Sequence, residues 1–114
     1  MKEELRYGHS LKGMRTSLKE TLLEICGKYD KAMVIDCETG TASNIIGVKA
    51  AFPEKYVPLG VSEQNALSFA FGLHDAGFIP IVPLLGAFIS RRAYDQIFLL
   101  AAYPNINIKM IQFL

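Results

Sequence analysis

The sequence predicts an α/β domain of three layers, αβα, built around a mostly parallel sheet. Three observations carry this. Short apolar runs of strand length alternate with stretches whose apolar residues recur at three- and four-residue steps. The pieces follow the order helix, strand, loop, strand, helix, strand, helix, strand, which implies parallel strands joined by helical crossovers. Turn-forming and chain-breaking residues (Gly27, Asp30, Pro53, Gly77, Pro104) fall at the joints.

Residues 1–10, MKEELRYGHS, form a polar arm, and residues 11–114 form the domain. Leu11, Met14, Leu18, Leu22 and Ile25, with Tyr29 next in series, make the apolar stripe of a first amphipathic helix. Ala32–Asp36 (AMVID) reads as a buried strand, and CETGTASN after it as a loop. Residues 45–52 suggest a short helix. Residues 55–59 suggest a second short strand, weakened by Pro58. Ser62 is placed as an N-cap, and residues 64–76 form a helix with Ala66, Phe69, Ala70 and Leu73 inward. Gly77 terminates it. Ile79–Leu85 is a third strand despite Pro80 and Pro83. Residues 90–103 form a further helix with Ala93, Ile97, Leu100 and Ala101 on one side, and residues 106–113 a final strand.

Composition narrows the function classes. The 114 residues are 51% hydrophobic and 20% charged, as expected of a folded domain rather than a disordered chain. A net charge of +1, with both signs mixed along the chain, gives no electrostatic case for nucleic acid or membrane partners. The polar N-terminus lacks the apolar stretch of a signal peptide, and residues 78–89 are too short and too broken to span a bilayer. Cys26 and Cys37 form no CxxC pair and no Cys/His metal spacing, so they are expected as reduced thiols in a cytoplasmic protein, with no metal site. His9 and His74 have no partner pattern and are expected as structural or surface residues. GxGxxG, GxxxxGK[ST] and GxSxG are all missing, which removes the dinucleotide, P-loop and hydrolase-elbow readings.

Right-handed crossovers put the segments after each strand along one edge of the sheet, where ligands of open α/β sheets bind. Those segments are residues 36–44, 60–63 and 85–88.

One stretch is more specific. It carries Phe52-Pro53, Gly60-Val61-Ser62-Glu63-Gln64, Gly72, Gly77, Phe88, Arg92-Ala93-Tyr94-Asp95-Gln96 and YPNINIK, in that order. This series resembles the pyrimidine-binding domain of the transketolase family, most of all transketolases split over two chains, and is also similar to deoxyxylulose-phosphate synthases. The upstream GMRTSLKETLLEICGKYDKAMVIDCE looks like that family's opening helix and first strand, so the resemblance covers nearly all of the chain past the arm.

The resemblance implies the thiamine-diphosphate-binding pyrimidine-domain fold and a set of roles. Glu63 matches the glutamate that hydrogen-bonds a ring nitrogen of the cofactor's aminopyrimidine and is expected to be catalytic. Its place in a first helical turn suits a carboxylate. Phe88 matches the aromatic that stacks on that ring. Glu38, beside Asp36 and Thr39, matches an acidic residue near the cofactor. Leu85 stands at a cofactor contact where many members carry an aromatic residue, so the pocket is expected to differ there. Arg91 and Arg92 open a helix against its dipole; either they meet an anion or a carboxylate across an interface, or they face solvent. Tyr94, Asp95 and Gln96 are expected to serve packing and interdomain hydrogen bonds.

The family's GDG motif, which marks the diphosphate- and magnesium-binding domain, is missing from these residues, and the pyrimidine domain itself ends after its fourth expected strand. The resemblance therefore implies a truncated component that is inactive alone and works with a diphosphate-binding transketolase chain or domain as a homo- or hetero-oligomer. Its reaction would move a two-carbon ketol unit between sugar phosphates with thiamine diphosphate, the magnesium being held by the partner. Two alternatives stand beside this: a non-catalytic remnant kept as a dimerisation module, and a component of another thiamine-diphosphate enzyme such as deoxyxylulose-phosphate synthase or a 2-oxoacid dehydrogenase.

Overall fold

The computed structural model describes residues 13–113. The polar arm, with His9 and Leu11, lies outside the described residues. Four strands form one all-parallel sheet: β1 (Ala32–Asp36), β2 (Tyr56–Pro58), β3 (Ile79–Leu85) and β4 (Lys109–Phe113), in the spatial order β2-β1-β3-β4. Helix α1 (Met14–Lys28) precedes β1, α2 (Ile46–Ala51) lies between β1 and β2, and α3 (Glu63–Asp75) between β2 and β3. Between β3 and β4 the chain winds through a wide π-helical turn (Phe88–Arg92), the short α4 (Tyr94–Gln96) and a second wide turn (Ile97–Ala102). Among the described residues no helix is long and apolar enough to cross a membrane.

Alternation along the strands divides the core into the two expected layers. Ala32 and Val34 of β1 and Ile81 of β3 face α1 and α2, meeting Leu22, Cys26, Ile45 and Val48. Ile35, Val82 and Leu84 point the other way, against Ala66, Leu67 and Ala70 of α3 and Ile89 and Ala93 of the wide turn and its end.

Two inward-facing expectations are corrected. In α1 the buried residues are Leu22 and Cys26, one turn apart, whereas Met14 and Tyr29 are exposed. Helix α1 ends at Lys28, and Tyr29 has left the helical conformation (φ −117°, ψ 112°), so its side chain no longer follows the stripe. The Lys55 ammonium donates to the Cys26 and Tyr29 carbonyls at 2.6 and 3.1 Å, occupying acceptors that the helix end leaves open. In α3, Phe69 is also exposed. The helix meets the sheet through Ala66, Leu67 and Ala70, and two alanines allow an approach that a phenylalanine would block.

Ser62 occupies the N-cap position of α3, but its side chain makes no cap hydrogen bond; the hydroxyl turns back and donates to the Leu59 carbonyl at 3.1 Å. At the other end Gly77 adopts φ +84°. Its N–H donates to His74 O, and the Phe78 N–H donates to Leu73 O, each at 2.9 Å. This is a left-handed helix stop that favours glycine.

Pro80 and Pro83 survive in a central strand because the ladder is staggered. The Ile79 N–H points to the β1 side, bonding Lys31 O at 2.8 Å. Successive N–H groups alternate, so Pro83 lacks one toward β1 and Pro80 lacks one toward β4. On the β1 side the paired residues run only from Ile79 to Ile81, and on the β4 side only from Ile81 to Leu85. On the side where each proline lacks its N–H, the ladder does not include it.

Candidate functional site

The carboxyl ends of β1 and β3 and the start of α3 meet at one edge of the sheet. Glu63, the first residue of α3, is 3% exposed. Its carboxylate accepts from Arg92 Nη1, which lies 3.0 Å from both Oε1 and Oε2. Arg92 is about half exposed, at 49% of its side-chain surface, and its guanidinium carbon sits 4.4 Å from the centre of the Phe88 ring. The guanidinium is therefore held between a buried carboxylate and an aromatic face.

The wide turn makes this possible. The Ala93 N–H donates to Phe88 O, five residues back, at 3.3 Å. A turn of that width leaves Phe88 and Arg92 nearly above one another, and such turns recur at functional sites. A cavity of about 290 Å3 opens beside the cluster, lined by Val61, Ser62, Glu63, Gln64, Asn65 and Arg92. Its volume is close to that of the smallest ligand pockets.

Cys37, just past β1, is buried next to the start of α3. Burial pushes its thiol up to about 11. A hydrogen bond from the Ser62 backbone opposes the rise, and the Glu63 and Asp36 carboxylates add to it. The thiol is a neutral packing element at neutral pH. Because the folded chain holds this proton more tightly than the unfolded one, stability is full below about pH 9 and falls as pH rises toward about 11. The drop follows from the tighter hold of the folded chain on this proton. Tyr56 shifts the same way, from burial first and then its bond to Asp36. Urea unfolding at pH 8 and pH 10.5 should show this drop, and Cys37→Ala should make it shallower.

The loop after β1 is anchored rather than free. The Asp36 carboxylate accepts from the Tyr56 hydroxyl at 2.6 Å, the Thr39 N–H at 2.9 Å and the Thr39 hydroxyl at 3.3 Å. The Ser43 hydroxyl donates to Thr39 O at 2.7 Å. Gly40 is needed at the closest approach: a Cβ there would stand 2.5 Å from the Tyr56 oxygen and 3.0 Å from Asp36 Oδ2. Glu38 is exposed, with left-handed backbone (φ +63°).

The sequence-predicted residues are thus only partly brought together. Glu63 and Phe88 join one cluster through Arg92. Glu38 lines a separate depression of about 140 Å3 with Asp36, Gly40, Thr41, Lys49 and Tyr56 among its walls, and shares no wall with the cavity beside Glu63. Leu85 lies at the end of β3, half-buried and paired in register with Phe113. Arg92 was expected at an interface or in solvent; its carboxylate partner is Glu63 of the same chain, 29 residues away. Tyr94 and Asp95 are exposed, and the Gln96 side-chain oxygen is buried without a hydrogen-bond partner. Among the described residues no three His, Cys, Asp or Glu side chains are grouped to hold a metal ion.

A buried carboxylate at a helix start and a flat aromatic face can between them hold a planar nitrogen heterocycle, the first by proton sharing and the second by stacking. Comparisons with known proteins show the family. Residues 12–114 match the family model described as transketolase, pyrimidine binding domain. The chain is 36% identical over 100 residues to a protein named putative transketolase C-terminal section from Methanocaldococcus jannaschii, covering 88% of this chain and 32% of that protein. It is 34% identical over 98 residues to the 6-deoxy-6-sulfo-D-fructose transketolase subunit SqwH of a Clostridium species, covering 86% of this chain and 30% of that protein. A 1-deoxy-D-xylulose-5-phosphate synthase of Geobacter sulfurreducens is 33% identical over 79 residues, 69% of this chain and 12% of that enzyme. Among solved structures, a split gene transketolase described as an inactive beta4 tetramer superposes with a TM-score of 0.77 at 29% identity, over 84% of this chain and 32% of that one. The chain spans about a third of the length of the transketolase relatives it matches.

Proposed function

The chain belongs to the transketolase pyrimidine-binding-domain family, and on that premise we propose that it supplies the pyrimidine side of a thiamine-diphosphate site in a transketolase assembled from more than one chain. The observation that carries the reading is the buried Glu63 carboxylate at the start of α3, tied through Arg92 to the Phe88 ring.

These residues fit the pyrimidine half of the cofactor. Glu63 holds or returns a proton at a ring nitrogen, the sharing that a buried carboxyl supports. Phe88 offers its face for stacking; Leu85 and Glu38 are proposed as further cofactor contacts, Glu38 from its own depression beside β1. Thiamine diphosphate, when bound, supplies the carbanion stabilisation needed to move a two-carbon ketol unit between sugar phosphates. The diphosphate and its magnesium are assigned to a partner chain or domain. Large apolar side chains left exposed on the β3–β4 crossover, Tyr94, Phe98, Leu99 and Tyr103, support assembly with such a partner. The two buried free thiols suit a cytoplasmic setting.

Reconstitution tests the reading. The chain mixed with a companion bearing GDG should transfer ketol units between sugar phosphates, while neither does so alone. A mixture without transfer, formed from chains that do associate, would contradict it. The likeness to deoxyxylulose-phosphate synthases favours a second reading, and deoxyxylulose phosphate as the product of the same mixture would select it.

A further inference from the structure

We infer that Arg92 is a built-in latch: its guanidinium fills the place between Glu63 and Phe88 that a planar heterocycle would take, and must swing out before the ring can enter. This deepens the reading above and rests on it.

The guanidinium is chemically like the ring it would exclude. A guanidinium is flat, cationic, rich in N–H donors and able to stack on an aromatic face. In this site it uses all of these properties. One nitrogen lies 3.0 Å from each oxygen of the Glu63 carboxylate, and the plane's central carbon is 4.4 Å from the Phe88 ring centre. An aminopyrimidine carrying a proton on its ring nitrogen would ask the same two residues for the same two contacts, so both cannot be satisfied at once.

The latch also has room to open toward solvent. Glu63 is buried, but the Arg92 side chain is about half exposed, so the guanidinium can return to water. It lines the cavity of about 290 Å3 beside Glu63, and swinging away enlarges that space toward the ring face. Closed, it keeps a buried carboxylate paired and an aromatic face covered, two groups that are costly to leave bare. If the latch is shut in about nine of ten molecules, apparent affinity for the ring falls about tenfold.

Thiamine titration of the full chain tests this, followed by NMR of the arginine side-chain N–H groups, with wild type, Arg92→Ala and Arg92→Gln compared. The half-exposed position lets both variants fold, and a thermal melt checks it. The expected result is binding about tenfold tighter in both variants, and in wild type an Arg92 signal that moves to its solvent-exposed value as thiamine is added. Binding to wild type that the variants leave unchanged or weaken overturns the latch alone. An Arg92 signal that stays put while thiamine binds does the same. No binding by either variant at millimolar thiamine overturns the latch, because its removal should leave the ring site open; the cofactor reading is decided separately, by titration of the mixture with a GDG-bearing companion.

Discussion

Glu63→Ala and Glu63→Gln should each cut ketol transfer by the assembled enzyme about 100- to 10,000-fold while leaving assembly intact. That range is the usual worth of a positioned proton-transfer group. Two features make the effect separable from misfolding. Glu63 is buried at the helix start, so it is not a surface contact for a partner. Its charged partner among the described residues, Arg92, is half exposed, and ion pairs with an exposed member contribute about 0–1 kcal/mol to stability. Steady-state rates of the reconstituted complex, beside its elution volume, check both parts. Full activity in either variant would favour the remnant reading, in which the fold persists as a dimerisation module.

The second large effect concerns stability. Asp36→Ala should destabilise the chain by about 3–5 kcal/mol. It strips acceptors from the Tyr56 hydroxyl and from the N–H and hydroxyl of Thr39, and each buried donor left unpaired costs about 1–3 kcal/mol. A domain is typically stable by only about 5–15 kcal/mol, so the loss is a large share. The loop carrying Glu38 should lose order with it, because Asp36 ties that loop to β2. Urea unfolding reads the first consequence, and amide exchange at Thr39 and Gly40 reads the second. Asp36→Asn keeps an acceptor of the same shape and should cost less.

The order of elements was legible because periodicity is a local property. The runs at Ala32–Asp36 and Ile79–Leu85 coincide with β1 and β3, and the Gly77 stop falls where it was expected. Faces were read less well. Phe69 looked inward on apolarity alone, but how closely a helix approaches a sheet decides which residues face it, and here two alanines set that distance. The last strand was drawn three residues too long: residues 106–108 are extended in composition, but pairing with β3 begins at Lys109.

Within the site, motif order brought out Glu63 and Phe88 but not what joins them. Arg92 stood in the same RAYDQ stretch, and its position against a helix dipole left two readings, an anionic partner across an interface or exposure to solvent. Its partner lies 29 residues back, across a turn of five-residue spacing that a 3.6-residue period cannot reveal. Cys37 gave no sign at all. Its environment is made by Ser62 and Glu63, brought beside it by the β1–β2 pairing and the turn into α3.

In the proposed function this chain provides one half of a cofactor site that a partner completes. Calorimetric titration of thiamine diphosphate with magnesium tests it most directly, using the chain, a GDG-bearing companion and their mixture in turn. The expected result is tight binding in the mixture, weak binding to either chain alone, and loss of most of the gain when Glu63→Ala replaces the wild type. Binding by the companion alone that equals the mixture, or a mixture indifferent to Glu63, would contradict it.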